Sequence, residues 1–225
     1  MFIFDSLYWL MALPGLALGI WAAWLVRSTY AKYSRVAASS GATGQWVARA
    51  LLDAHGLQHV PVQEIPGELS DRYNPRTQTL QLSSGVFHGR SVAAIGVAAH
   101  EAGHAIQHAD KYVPLAIRGG IAPIAQLGPN LAIFMFMISL FMGVPLLANI
   151  AIAIYVGVVV FALITLPVEF NASRRAMRLL GSVGVLSAEE LPGARKVLTA
   201  AALTYVAAAV QAILMLLYMF LRRRD

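Results

Sequence analysis

Residues Ala98-Ala99-His100-Glu101-Ala102-Gly103-His104-Ala105-Ile106-Gln107-His108 decide how this chain is read. They contain H-E-x-x-H. On an α-helix, positions i and i+4 share one face, a turn apart. His100 and His104 can therefore offer two imidazole nitrogens to one Zn2+. Glu101, beside the first, can serve as general base for a water at the metal. The flanking residues agree with a helix over Ser91 to Gln107: Ser91 is a cap, and Ala93, Ala94, Val97 and Ala98 supply a small apolar face.

Outside this stretch the composition is that of an integral membrane protein. The chain is 58% hydrophobic and only 12% charged, where soluble domains carry about 25% charged residues. It has no cysteine, so disulfides and thiolate metal ligands are excluded. The net charge is +6, but the basic residues gather near the ends of apolar segments. That pattern reads as membrane orientation and attraction to anionic lipid. Nucleic-acid binding would need a basic face with aromatic or motif support, and none is present.

The apolar runs predict about four transmembrane helices. Leu7 to Val26 is the first, and it lacks the basic leader of a secretory signal. Arg27, Lys32 and Arg35 follow it, which places residue 27 onward in the cytoplasm and Met1 outside. Leu115 to Gln126 is apolar but interrupted by Gly119, Gly120 and Pro123, so it reads as interfacial or as the start of the next span. Leu127 to Gly143 and Val144 to Pro167 form a hairpin with a very short external loop. Val197 to Leu221 is the fourth run and ends at Arg222-Arg223-Arg224. Four spans put both termini outside, where three terminal arginines violate the positive-inside rule. The alternative is a last run that does not fully cross.

The polar residues lie between these runs. Thr43-Gly44-Gln45 precedes a helix over Trp46 to His55, with Gly56 as its stop. Val60 to Val62 and Ile65 to Gly67 read as short extended pieces. Asp71 to Arg76 reads as a turn around Asn74-Pro75. Thr77 to Leu82 alternates as a short strand with one polar side. The expected organisation is a first transmembrane helix (1–26), a small cytoplasmic α+β zincin-like part (27–118), a transmembrane hairpin (119–167), a cytoplasmic helix (168–196), and a fourth span with a basic tail (197–225). No internal repeat is visible.

A catalytic zinc needs three protein ligands and an open position. Asp110 is one candidate for the third, but it requires a chain reversal at Gln107 without glycine's φ freedom. His108 lies eight residues beyond His100, about 12 Å along a helix axis, so it cannot share the ion with both other histidines. Glu169, just past the third apolar run, would emerge on the cytoplasmic side with His100 and His104. A metal would be a partner for a carboxylate in that position, as would Arg174 or Arg175.

The stretches Asn74 to Thr77, Gly89 to Ser91, Ala98 to His108 and Pro167 to Ala176 together resemble the YugP-type family of membrane-embedded neutral zinc metallopeptidases. The layout is also similar, more distantly, to HtpX and the CAAX prenyl proteases, gluzincin-like enzymes that pair H-E-x-x-H with a later helical Glu. Two departures accompany the resemblance. Asn171 stands where the family has Asp, and Ser173 stands where the more distant relatives have an acidic residue. The resemblance implies Zn2+ on His100, His104 and Glu169, with Glu101 as catalytic base. Together with the positive-inside orientation, the leading reading is an endopeptidase acting on peptide or membrane-protein substrates at the cytoplasmic face of the inner (cytoplasmic) membrane, although no substrate follows from the resemblance itself. By analogy with HtpX its role would be membrane-protein quality control. Tyr73, His88 and Arg174 are candidates for oxyanion or substrate contacts. The strand Thr79, Leu80, Gln81, Leu82 is a candidate for holding an extended substrate by β-addition. The alternative reading is an inactive zinc-bound membrane scaffold or pseudoprotease. Glu101 argues against it, because a purely structural site has no use for that base.

Overall fold

The computed structural model describes residues 5–223. The order is α1 (Ser6–Tyr33), α2 (Gly44–Asp53), β1 (Val62–Ile65), β2 (Arg72–Asn74), β3 (Thr79–Ser83), α3 (Ser84–Phe87), α4 (Val92–Ala109), α5 (Val113–Met142), α6 (Pro145–Val183) and α7 (Leu191–Arg222). The chain divides into two compact units. One comprises the segment ending at Ala23, Ala116–Pro167, and the segment from Leu203. The other comprises Trp24–Leu115 and Val168–Ala202.

In the first unit α1, α5, α6 and α7 each hold a run long and apolar enough to cross a membrane. Its centre is a cluster of small and aromatic residues, among them Ala132, Ala151, Tyr155, Met215 and Tyr218. Large apolar side chains such as Trp9, Leu127 and Phe141 point outward. In hydrocarbon that is the expected arrangement, since lipid is as apolar as leucine. Asp5, beside the start of α1, pairs with Arg222 at the end of α7 at 3.2 Å. The two helix ends therefore meet, as an even number of crossings requires. The contact gives Arg222 a carboxylate partner, which eases the charge conflict read from the sequence.

Of the two readings of Leu115 to Gln126, the structure shows the start of the next span: α5 runs continuously from Val113 through Gly119, Gly120, Pro123 and Pro129. Likewise α6 continues past the end of its apolar run at Pro167 to Val183. Long membrane helices tolerate proline because neighbouring turns and side chains re-satisfy the freed carbonyls. The hairpin between α5 and α6 is as short as the sequence suggests, with Gly143 at φ +67° making the reversal.

The second unit is built around α4, which is buried along most of its length. The local signals work as read. Ser91 Oγ accepts from the Ala94 amide at 3.2 Å to start α4, and Thr43 Oγ1 accepts from the Trp46 amide at 3.2 Å to start α2. Leu51, Leu52, Leu80, Leu82 and Ile95 form a fully buried core with α4. The sheet order is β1-β3-β2, with β1 parallel and β2 antiparallel to β3. The stretch read as a turn is thus partly a strand: Arg72–Asn74 is β2, and the turn follows it. Asn74 Oδ1 accepts from the Arg76 amide at 3.0 Å to hold that turn.

Candidate metal centre

Helix α4 carries His100, Glu101 and His104 on turns that pack against α6. Closest approach falls at Gly103. A Cβ placed there would meet the Ala172 carbonyl oxygen at 2.9 Å, and Ala172 itself is fully buried. The glycine lets the two backbones touch, and that contact brings Glu169 and Ser173 of α6 onto the histidines. Gly103→Ala is therefore expected to push α6 outward and lower zinc occupancy at least several-fold, with about 1–3 kcal/mol of overpacking cost. Zinc content per chain and the thermal midpoint measure this; full occupancy in the variant would remove the argument.

His100 Nε2 and His104 Nε2 lie 3.1 Å apart. Glu169 Oε2 is 3.2 Å from the first and 3.5 Å from the second. These three are a group able to hold a metal ion. Tetrahedral ligands at about 2.0–2.1 Å from zinc stand about 3.3–3.4 Å from one another, so the triangle is the right size.

The far sides of the imidazoles are tied back. Arg175 Nε can only donate, and it donates to Asn171 Oδ1 at 2.8 Å. Gln107 Nε2 donates to the same oxygen at 2.9 Å and to the Val168 carbonyl at 2.9 Å. Gln107 Oε1 is left to face His104 Nδ1 at 2.9 Å, which must then be the protonated nitrogen. His104 Nε2 consequently presents a lone pair to the cluster. Ser173 Oγ sits 3.2 Å from His100 Nδ1 and can play the same part there. With Ser173 taking the His100 Nδ1 proton, both Nε2 atoms and Glu169 Oε2 present lone pairs at 3.1–3.5 Å from one another, an arrangement that a cation among them stabilises. The residues therefore fit zinc.

Glu101 is buried and takes the Tyr73 amide proton on Oε2 at 2.8 Å. Burial pushes its carboxyl up to about 7. Glu169 and Asp71 add to the rise, while His100 and the Tyr73 amide oppose it. A carboxyl in that range can take a proton and give it back near neutral pH. A cation beside it would favour its ionised form.

The remaining predicted residues disperse. Asp110 caps α4 and pairs with Arg175, outside the metal group. His108 contacts the Tyr73 hydroxyl at 2.8 Å, so it orients Tyr73. Tyr73 lies beside Glu101, and burial raises its phenol pKa. His88 instead pairs with Glu64 at 3.1 Å in an exposed position. Arg174 donates to the Phe170 carbonyl of its own helix and lines a cleft that also includes Asn171 and Ser173. The strand holding Thr79, Leu80, Gln81 and Leu82 also needs correction. As the middle strand, β3 has both edges occupied by β1 and β2 and has none to offer a peptide. The strand beside Glu101 is β2, whose Tyr73 amide turns away from the sheet.

Sequence reasoning missed the part played by Gln107. Its i+3 spacing from His104 was a usable signal, since such pairs meet on a helix. Arg175 and Asn171 likewise stand at i,i+4 on α6, but the bond from Gln107 to Asn171 across the two helices had no such signal.

The chain belongs to the family described as "Putative neutral zinc metallopeptidase", which it matches over residues 8–224. More particularly, it is similar to the "Putative membrane protease YugP" of Bacillus subtilis (strain 168). The two are 43% identical over 222 residues, covering 97% of this chain and 99% of that protein. No solved structure matches it.

Proposed function

We propose that this chain is a membrane-embedded zinc endopeptidase of gluzincin type, hydrolysing peptide bonds at the cytoplasmic face of the inner membrane. The observation that carries the reading is the tetrahedron-sized triangle of His100 Nε2, His104 Nε2 and Glu169 Oε2, with the buried carboxylate of Glu101 beside it. Zinc held by those three residues would supply Lewis-acid activation of a water and of the scissile carbonyl. Glu101 takes the proton of the attacking water and delivers it to the leaving amine. Gln107 and Ser173 hold the two imidazoles in orientation. Tyr73, steadied by His108, lies beside Glu101 and is placed to contact an extended peptide at the site.

Burying Glu101 costs folding free energy and adds nothing to the metal group, which favours an enzyme over a zinc-bound scaffold. Purified protein is expected to hold about one zinc per chain and to cleave an unstructured polypeptide. Chelation should abolish cleavage, and added zinc should restore it. Cleavage untouched by complete metal removal would sink the proposal.

The orientation follows from Arg27, Lys32 and Arg35 after α1 and from the basic stretch around Arg174 and Arg175. A site on the cytoplasmic side supports a role in membrane-protein quality control. The chain has no cysteine, so single cysteines test the topology cleanly. Ser40→Cys should be shielded from an impermeant reagent in intact cells, and Met142→Cys should be labelled. The reverse pattern would put the site outside.

A further inference from the structure

On the face of α6 adjoining the metal ligands, Phe170, Arg174, Met177 and Arg178 fall at i, i+4, i+7 and i+8. Arg195 and Leu198 of α7 face them across a cleft of about 830 Å3. Three guanidiniums thus line one opening. Among the described residues none of them has a carboxylate partner; the one side-chain bond is from Arg174 Nε to the Phe170 carbonyl at 3.3 Å. Guanidiniums collected without acids make a site for an anion, and their planar forks match phosphate oxygens. The apolar walls would be wasted on a free anion.

Position along the chain explains both features. The apolar run of α6 ends at Pro167, about one turn before Phe170. The apolar run of the last span continues directly from Ala202, which also lines the cleft. Both walls therefore belong to helix segments that leave hydrocarbon at this level. A ligand there would have its polar end among the arginines and its apolar end against Phe170, Met177 and Leu198. We propose that this cleft binds the phosphate headgroup of an anionic phospholipid, with the start of its acyl chains on the apolar wall. Basic pockets at the ends of membrane helices hold such headgroups by this combination of charge and apolar contact. The proposal rests on the membrane embedding alone and not on peptidase activity.

The test uses the full chain in mild detergent, with phosphatidylglycerol or phosphatidylcholine of identical acyl chains added in equal amounts and bound lipid read by native mass spectrometry. The native protein should retain phosphatidylglycerol over phosphatidylcholine by about tenfold or more. The variant R174Q/R178Q/R195Q should lose that preference. The matching lysine triple should keep most of it, which separates loss of charge from misfolding. The control R72Q/R76Q/K111Q, with exposed cations elsewhere on the second unit, should behave as native. Four results would each overturn the proposal: preference surviving in the arginine-to-glutamine variant, equal loss in the control, displacement of lipid by inorganic phosphate, or displacement by an acidic peptide. The last two would make the cleft a free-anion site or part of the substrate channel.

Discussion

Glu101→Gln is expected to keep zinc at about one per chain while peptide hydrolysis falls about 10²–10⁴-fold, the range that a positioned general base supplies. Glutamine has the same shape, and its carbonyl oxygen can still accept from the Tyr73 amide, which now bonds the carboxylate at 2.8 Å. What disappears is the capacity to take a proton. Burial pushes the carboxyl up to about 7 while a cation beside it would pull it back down, and a carboxyl between that value and its ordinary one can be emptied and refilled within one turnover, which an amide cannot. The variant removes no member of the His100, His104, Glu169 group. Zinc content and cleavage of one polypeptide, measured on the same preparation, separate the two effects. Near-native turnover in the variant would end the assignment of Glu101 as base. Joint loss of zinc and activity would show instead that it supports the metal.

Glu169→Ala and Asp110→Ala should part company just as widely. Glu169 is almost wholly buried and places Oε2 at 3.2 and 3.5 Å from the two imidazole nitrogens. Deleting it leaves two ligands and a cavity. Outer-shell changes alone typically cost 10–100-fold in metal affinity, so loss of a ligand should cost at least about 100-fold and abolish hydrolysis. Asp110 is half-exposed and pairs with Arg175 at the end of α4. Its removal should cost at most about 1 kcal/mol, as surface ion pairs do. Because Arg175 also donates to Asn171, any loss of zinc affinity in Asp110→Ala should stay well below that of the Glu169 variant. Competition titration with a zinc chelator ranks the two. If Asp110→Ala proves the weaker zinc binder, the third ligand is Asp110.

The sequence by itself determined whatever depends on neighbours within a few residues. The apolar runs announced the four membrane-capable helices because hydrocarbon thickness fixes their length. Ser91 and Thr43 announced helix starts because a cap acts on an amide three positions away. H-E-x-x-H announced two candidate ligands and a candidate base because helical pitch alone puts His100 and His104 on one face. Gly119, Gly120 and Pro123 left open whether Leu115 to Gln126 begins a span: in a membrane they do not end a helix, since local turns absorb the missing bond.

The tertiary structure decided what depends on segments far apart in the chain. Thr79 to Leu82 reads equally well as an edge or a middle strand, and only pairing with β1 and β2 closes both of its sides. Glu169 and Asp110 were both admissible ligands until the approach of α6 to Gly103 brought one of them onto the histidines. In the chain of bonds from Arg175 through Asn171 and Gln107 to His104, the two end links have local spacing, but the link between Gln107 and Asn171 has none, because it joins two helices whose residues lie more than sixty positions apart. The arginine cleft is likewise assembled from α6 and α7. Spacing along one helix encodes a face. Which face meets which partner follows from packing between helices, and no window of sequence contains that.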